Sequence, residues 1–233
     1  MEKRAGSRYN GRITNGEDKG MRGAIFDMDG LLIDSETIWQ EEWHAMAAER
    51  GIVLPESFAA EICGTGGVKT REVVRRCYGA DDPEPIMREC SARVHRRQEH
   101  GVPLMPGVRV ILDGLRAQGC RIAVASSSPM EMIERNLRLD GIDGRFDALV
   151  SGRNVAHGKP APDVFLLAAE RIGVPPERCW VFEDSLNGVE AGWRAGCRTV
   201  MIPDKVAPTA EARRMCWGVF PDLGAAWEAI REA

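Results

Sequence analysis

The stretch Gly23-Ala24-Ile25-Phe26-Asp27-Met28-Asp29-Gly30 joins an apolar run to two carboxylates set one residue apart. Such a run gains by burial as a strand of a parallel sheet, and the acids then stand at its carboxyl end. At a separation of about 4 Å and an effective dielectric of about 20, two like charges repel by about 4 kcal/mol. A cation between them removes that repulsion, and a metal ion is the simplest one.

Outward from this strand, short apolar runs alternate with segments of helical spacing. Arg121 to Ala125, Ala148 to Val150, Cys179 to Phe182 and Thr199 to Ile202 read as further strands. Val108 to Gln118, Met130 to Leu139, Asp163 to Ile172 and Leu186 to Ala195 read as helices, with Gly119, Gly141, Gly173 and Gly196 as stops. Strand alternating with helix predicts an α/β fold. The expectation is a Rossmann-like, doubly wound parallel sheet covered on both faces, with ligands at the carboxyl ends of its strands.

From 37 to 103 the pattern is helical without convincing strands. Trp39, Trp43, Met46 and Ala47 form one stripe, Val73, Val74, Cys77 and Tyr78 a second, and Ile86, Met87, Cys90 and Val94 a third. These stripes read as the core of a small inserted bundle, with Trp39 set apart because it lies one turn beyond a hinge near Asp34 and Ser35. The expected organisation is a polar N-terminal extension at 1–20, a core from 21–36 and 104–233, and an all-helical insertion at 37–103.

With 233 residues, 44% of them hydrophobic, the chain can bury a substantial core. Its 31 basic and 35 acidic residues give a formal charge of −4, with no basic surplus to attract nucleic acid or an anionic membrane. Seven widely spaced cysteines without a Cys-x-x-Cys pair read as buried thiols of a reducing cytoplasm. The first twenty residues contain no apolar run long enough for a signal peptide or a membrane span. A cytoplasmic protein, monomeric or weakly self-associating, is expected.

Four strand ends carry complementary polar residues: Asp27 and Asp29, Ser126 to Ser128, Lys159 in Gly158-Lys159-Pro160, and Glu183 with Asp184. Together they describe a phosphoryl-transfer site for a small phosphorylated metabolite. An aspartate can attack phosphorus once the charges of nucleophile and phosphate are offset. Carboxylate oxygens without His or Cys nearby favour Mg²⁺. Lys159 neutralises remaining charge, while the Ser126 hydroxyl and the backbone N–H that follows at Ser127 suit phosphate oxygens.

The ordered set Phe-Asp-Met-Asp-Gly-Leu-Leu-Ile-Asp-Ser-Glu from Phe26, Val-Ala-Ser-Ser-Ser from Val124, Gly-Lys-Pro-Ala-Pro-Asp from Gly158 and Phe-Glu-Asp-Ser-Leu-Asn-Gly-Val-Glu-Ala-Gly from Phe182 resembles the haloacid dehalogenase superfamily. It is similar to the branch holding β-phosphoglucomutases and small sugar-phosphate phosphatases, whose helical cap is inserted after the first strand. The resemblance implies Asp27 as nucleophile and metal ligand, and Asp29 as general acid and base. It implies Ser126 and Lys159 as phosphate binders, Asp184 as a metal ligand, Glu183 acting through water, and the Asp29 backbone carbonyl completing the metal shell. Mutases of this branch carry a histidine five positions after the acid equivalent to Asp34, where this chain has Trp39. The expected activity is therefore Mg²⁺-dependent hydrolysis of a sugar phosphate or nucleoside monophosphate through an aspartyl-phosphate, with a sugar-phosphate mutase as the alternative.

Gly64-Thr65-Gly66-Gly67-Val68-Lys69-Thr70 imitates a nucleotide-binding loop, but Val68 stands where that motif needs glycine and no strand precedes it. The segment reads as a turn before a helix, with Lys69 and Trp39 as candidates to face the substrate. His44, His95, His100 and His157 lack metal-ligand spacing. Asn187 and Gly188 read as the start of a helix, and Asp34 as either a local turn acceptor or an aid to the hinge or the metal region.

Overall fold

The computed structural model describes residues 20–63 and 67–232. The expected extension at 1–20 lies outside them except for Gly20, as do Gly64 to Gly66 of the expected turn. The run Gly23–Phe26 (β1) is buried throughout and forms the inner strand of a six-stranded sheet. The other strands are Arg121–Ser126 (β2), Ala148–Ser151 (β3), Cys179–Glu183 (β4), Arg198–Met201 (β5) and Gly218–Val219 (β6). Their order is β3-β2-β1-β4-β5-β6, and every pairing is parallel. This is the doubly wound arrangement the sequence predicts, with its order reversing around β1.

Alternation along β1 sends Ala24 and Phe26 to one face and Ile25 to the other. Phe26 stacks on Phe182 of β4 with ring centroids 4.5 Å apart. That face is covered by Val108–Ala117 (α5) and Leu223–Ile230 (α10), through Ile111, Leu115, Leu223 and Ala226. On the opposite face, Ile25, Ala123, Ala125 and Val181 pack against Val164, Phe165 and Ala168 of Asp163–Ile172 (α7). Burying a Phe or Ile side chain contributes about 1.5–3 kcal/mol, so the two faces fix the register of the inner strands.

Between β1 and α5 lie Ser35–Glu49 (α1), Phe58–Ile62 (α2), Gly67–Tyr78 (α3) and Glu84–Gln98 (α4). Trp43, Phe58 and Tyr78 meet edge to face, with centroids 5.8–6.5 Å apart, and the Tyr78 hydroxyl donates to the Trp43 carbonyl at 2.5 Å. Met46, Ala47, Cys90 and Val94 are buried as their stripes require. The chain enters and leaves this insertion side by side: Asp34 N donates to Pro103 O at 2.8 Å, and Met105 N to Leu32 O at 3.0 Å.

The remaining helices are Met130–Leu139 (α6), Leu186–Arg194 (α8) and Ala210–Met215 (α9). Among the described residues, no helix is long and apolar enough to cross a membrane. Strand β5 begins one residue earlier than its apolar run suggests, because Arg198 pairs with Trp180; Ile202 follows it, donating N–H to Glu183 O at 2.8 Å.

Candidate active site

The carboxyl ends of β1, β2 and β4 open on the same edge of the sheet, and each ends in or is followed by a polar residue. Asp27 follows β1, its N–H bonded to Phe182 O at 3.1 Å, so the adjacent strand fixes its backbone. Ser126 closes β2 and Glu183 closes β4. From the connection between β3 and α7, Lys159 reaches in and places Nζ 2.6 Å from Asp27 Oδ1 and 2.6 Å from Glu183 Oε1, with Ala125 O at 3.2 Å.

All three of these charged side chains are buried, Glu183 to 1% exposure. Oxygens of Asp27, Glu183 and Asp184 lie within 4.8 Å of one another. One ammonium thus faces three carboxylates. Burial, followed by the neighbouring Glu183 and Asp29 charges and opposed by Lys159, raises the Asp27 carboxyl to about 8. Burial and then Glu183 and Asp27 raise Asp184 well above the carboxylate range. Burial alone would lower Lys159, but Asp27 and Glu183 outweigh it and raise the ammonium. The surplus of buried negative charge, offered entirely by carboxylate oxygens, fits a hard divalent cation.

Two glycines make this crowding possible. Gly30 has φ +77°, and a Cβ there would stand 2.6 Å from Asp184 Oδ2, so a residue without a side chain lets the Asp184 carboxylate approach β1. Gly188, in the first turn of α8, leaves the space that the Glu183 carboxylate occupies. Glu183 Oε2 accepts from Asp184 N at 3.0 Å, Ser185 N at 3.1 Å and Ser185 Oγ at 3.0 Å. Ser185 is the N-cap of α8, accepting from Gly188 N at 3.1 Å. Both oxygens of Glu183 are therefore engaged by protein donors.

Asp29 stands apart from the acid cluster. It accepts from three hydroxyls: Ser35 Oγ at 2.9 Å, Ser126 Oγ at 3.1 Å and Ser128 Oγ at 2.7 Å. Ser126 also accepts from Ser128 N at 3.0 Å, so its hydroxyl proton is directed at Asp29. Ser127 is exposed. Asp34 is the N-cap of α1, accepting from Thr37 N at 3.3 Å, and Lys205 beyond β5 reaches Thr37 Oγ1 at 3.1 Å. The local turn bond is thus present, at the junction with the insertion.

Trp39 and Lys69 line two different cavities. Trp39 stands beside Trp43, Glu36 and Gln40 on a cavity of about 280 Å³ within the helical insertion. Lys69 shares a smaller one, about 130 Å³, with Cys63, Ser185 and Asn187, where insertion meets sheet. Sequence reasoning gave Glu36, Gln40 and Cys63 no part in the site and placed Ser35 only at the hinge. Glu36 and Gln40 sit one turn apart on α1, a spacing visible in the chain, but their link to Cys63 is a tertiary contact that no motif announces.

A family profile described as haloacid dehalogenase-like hydrolase matches residues 21–196. Hexitol phosphatase B of Escherichia coli (strain K12) is 35% identical over 193 residues, covering 81% of this chain and 85% of the relative. The phosphorylated carbohydrates phosphatase of Thermotoga maritima is 35% identical over 185 residues, covering 77% of this chain and 84% of the relative. A crystal structure of a HAD-family hydrolase from Deinococcus radiodurans, with bound phosphate and sodium, superposes with a TM-score of 0.79 at 27% identity, covering 92% of this chain and 97% of that one. With the matched stretch spanning most of the chain and carrying the whole acid–lysine cluster, this protein belongs to the haloacid dehalogenase-like hydrolases.

Proposed function

We propose that the protein is a Mg²⁺-dependent phosphomonoesterase acting on a small sugar phosphate or nucleoside monophosphate. The observation that carries this is the buried cluster of Asp27, Lys159, Glu183 and Asp184 at one edge of the sheet. Asp27, Asp184 and the Asp29 backbone carbonyl would hold the ion, with Glu183 acting through water. When bound, Mg²⁺ supplies charge neutralisation for the phosphoryl oxygens.

Asp27 attacks phosphorus to give an aspartyl-phosphate, and Lys159 holds the attacking carboxylate in place and offsets its charge. Ser126, Ser127 and Lys159 bind phosphate oxygens, with the Ser126 hydroxyl shared with Asp29. Asp29 protonates the leaving alcohol and then takes a proton from the water that cleaves the aspartyl-phosphate.

In this reading residues 21–36 and 104–233 form the catalytic core, and 37–103 a cap that covers the leaving group and excludes bulk water. Trp39, standing where the resembling mutases carry histidine, favours hydrolysis over phosphoryl return. The seven unpaired cysteines favour a reducing cytoplasm. The test is phosphate release from a panel of sugar phosphates and nucleoside monophosphates with Mg²⁺ and with chelator. Release that requires Mg²⁺ and disappears in Asp27→Asn supports the proposal; turnover that survives Asp27→Asn overturns it.

A further inference from the structure

The cavity that Trp39 lines within the helical insertion borders Glu36, whose stem stands close to the acid cluster. A Cβ at Gly30 would lie 2.6 Å from Asp184 Oδ2 and 3.4 Å from Glu36 Cγ, so the Glu36 stem and the Asp184 carboxylate flank the same point of the β1 turn. From there the cavity runs between α1, α3 and α4 past Trp39, Gln40, Trp43, Thr70 and Ser91. A leaving group attached to a phosphate at Asp27 would enter this space past Glu36.

Two acceptor side chains, Gln40 and Glu36, stand on its wall. Gln40 donates its amide Nε2 to Cys63 Sγ at 3.2 Å, while its carbonyl Oε1 is buried without a hydrogen-bond partner. The thiol of Cys63 is hydrogen-bonded to Glu36, which spends its one proton and leaves the sulfur to accept from the amide. That arrangement turns the Gln40 carbonyl, rather than its amide nitrogen, to the unpaired position. A buried acceptor without a donor is destabilising by about 1–3 kcal/mol, a loss that a ligand hydroxyl removes. Glu36 adds a second acceptor, and Trp39 and Trp43, 6.4 Å apart and inclined at 28°, add aromatic faces for C–H groups. Among the described residues lining the cavity there is no lysine, arginine or histidine.

We propose that Gln40, with Glu36, is a specificity residue that selects the leaving group by its hydroxyl donors, so that the substrate is the monophosphate of a neutral polyol. A leaving group bearing a carboxylate or second phosphate would meet the Glu36 carboxylate in a cavity with no basic residue in its lining, Lys205 acting on Glu36 from outside it. The proposal rests on the phosphomonoesterase assignment for its substrate position, and its test separates the two.

In the assay, kcat/KM is measured with Mg²⁺ for a hexitol monophosphate, phosphoglycolate, a sugar bisphosphate, uridine monophosphate and phenyl phosphate. The expected order puts the hexitol monophosphate at least about tenfold above phosphoglycolate and the bisphosphate, and above uridine monophosphate. In Gln40→Leu, the ratio of hexitol monophosphate to phenyl phosphate falls about five- to tenfold, with Gln40→Met doing the same. Gln40→Glu, which keeps an acceptor oxygen, retains more of the ratio. A preference for an anionic or nucleoside leaving group, or a ratio unmoved in both apolar variants, overturns the proposal.

Calorimetric binding of the hexitol monophosphate to Asp27→Asn, alone and combined with Gln40→Leu, needs no turnover. Affinity weakened about five- to tenfold by the second substitution supports the pocket even if phosphate release fails throughout, and unchanged affinity overturns it.

Discussion

Lys159 Nζ and Asp27 Oδ1 lie 2.6 Å apart, an ion pair between residues separated by 132 positions of chain. The same ammonium holds Glu183, so one side chain ties the ends of β1 and β4 together. Removing it by Lys159→Met leaves three carboxylates facing one another in a buried site. Truncating one partner of a buried pair typically destabilises by about 3–5 kcal/mol. The expected outcome is a lower denaturation midpoint together with a loss of phosphate release of at least about a hundredfold. Chemical denaturation with and without Mg²⁺ separates the two effects, because the cation restores part of the stability but not the ammonium.

Asp29 and Asp27 are expected to fail differently. Asp27→Asn removes the attacking oxygen's charge and with it turnover on every ester. Asp29→Asn removes proton donation to the leaving group, which matters little when that group is already acidic. Its loss in kcat is expected to be at least about tenfold larger for an alkyl phosphate than for nitrophenyl phosphate. Equal losses on both esters would argue against the general-acid assignment.

Gly188→Ala places a methyl group in the volume occupied by the Glu183 carboxylate. Either the helix shifts or Glu183 gives up donors from Asp184, Ser185 or Lys159. Overpacking of this kind destabilises by about 1–3 kcal/mol, more than the better helix propensity of alanine returns. The denaturation midpoint should fall and the Mg²⁺ concentration needed for half-maximal activity should rise. Gly144→Ala, at a position without positive φ, provides the comparison for a change with no neighbour within 4 Å.

Stability without the ion should depend on pH in a direction fixed by Asp27 and Asp184. Burial raises Asp27 from 3.8 to about 8 and raises Asp184 as well, so the folded chain holds protons there that the unfolded chain has already released. The stability they contribute is complete below about pH 4 and is lost as the pH climbs toward about 8. Lys159 stays charged throughout this window because its own shift is upward. In chelator the melting temperature should fall from about pH 5 to about pH 8, and Mg²⁺ should raise it more at the upper end. Melting curves in chelator and in Mg²⁺ across that range measure it.

The parts legible in the sequence are those whose pattern and position coincide. Gly23–Phe26 and Cys179–Glu183 are apolar runs ending in acids, and their burial as neighbouring strands makes the acids converge. Lys159 is found because its Gly-Lys-Pro setting accompanies the other motifs in order. The end of the chain is harder to read. Gly218–Val219 is a two-residue strand, too short for alternation to show, and it is held by pairing with Val200 and Met201. The α10 residues Leu223, Ala226 and Ile230 follow helical spacing, but their partners lie on α5, more than a hundred positions away. The site contacts of Ser35, Glu36, Gln40 and Cys63 are invisible for the same reason: each residue acquires its meaning from a contact with another element.

The paired backbone links at Asp34–Pro103 and Leu32–Met105 bring the two ends of the helical segment to one doorway in the α/β layer. A segment that departs and returns through a single doorway can be exchanged as a cassette, since a replacement need only match two adjacent attachment points. Gene shuffling could thereby give this sheet new chemical tastes while leaving its strand order intact.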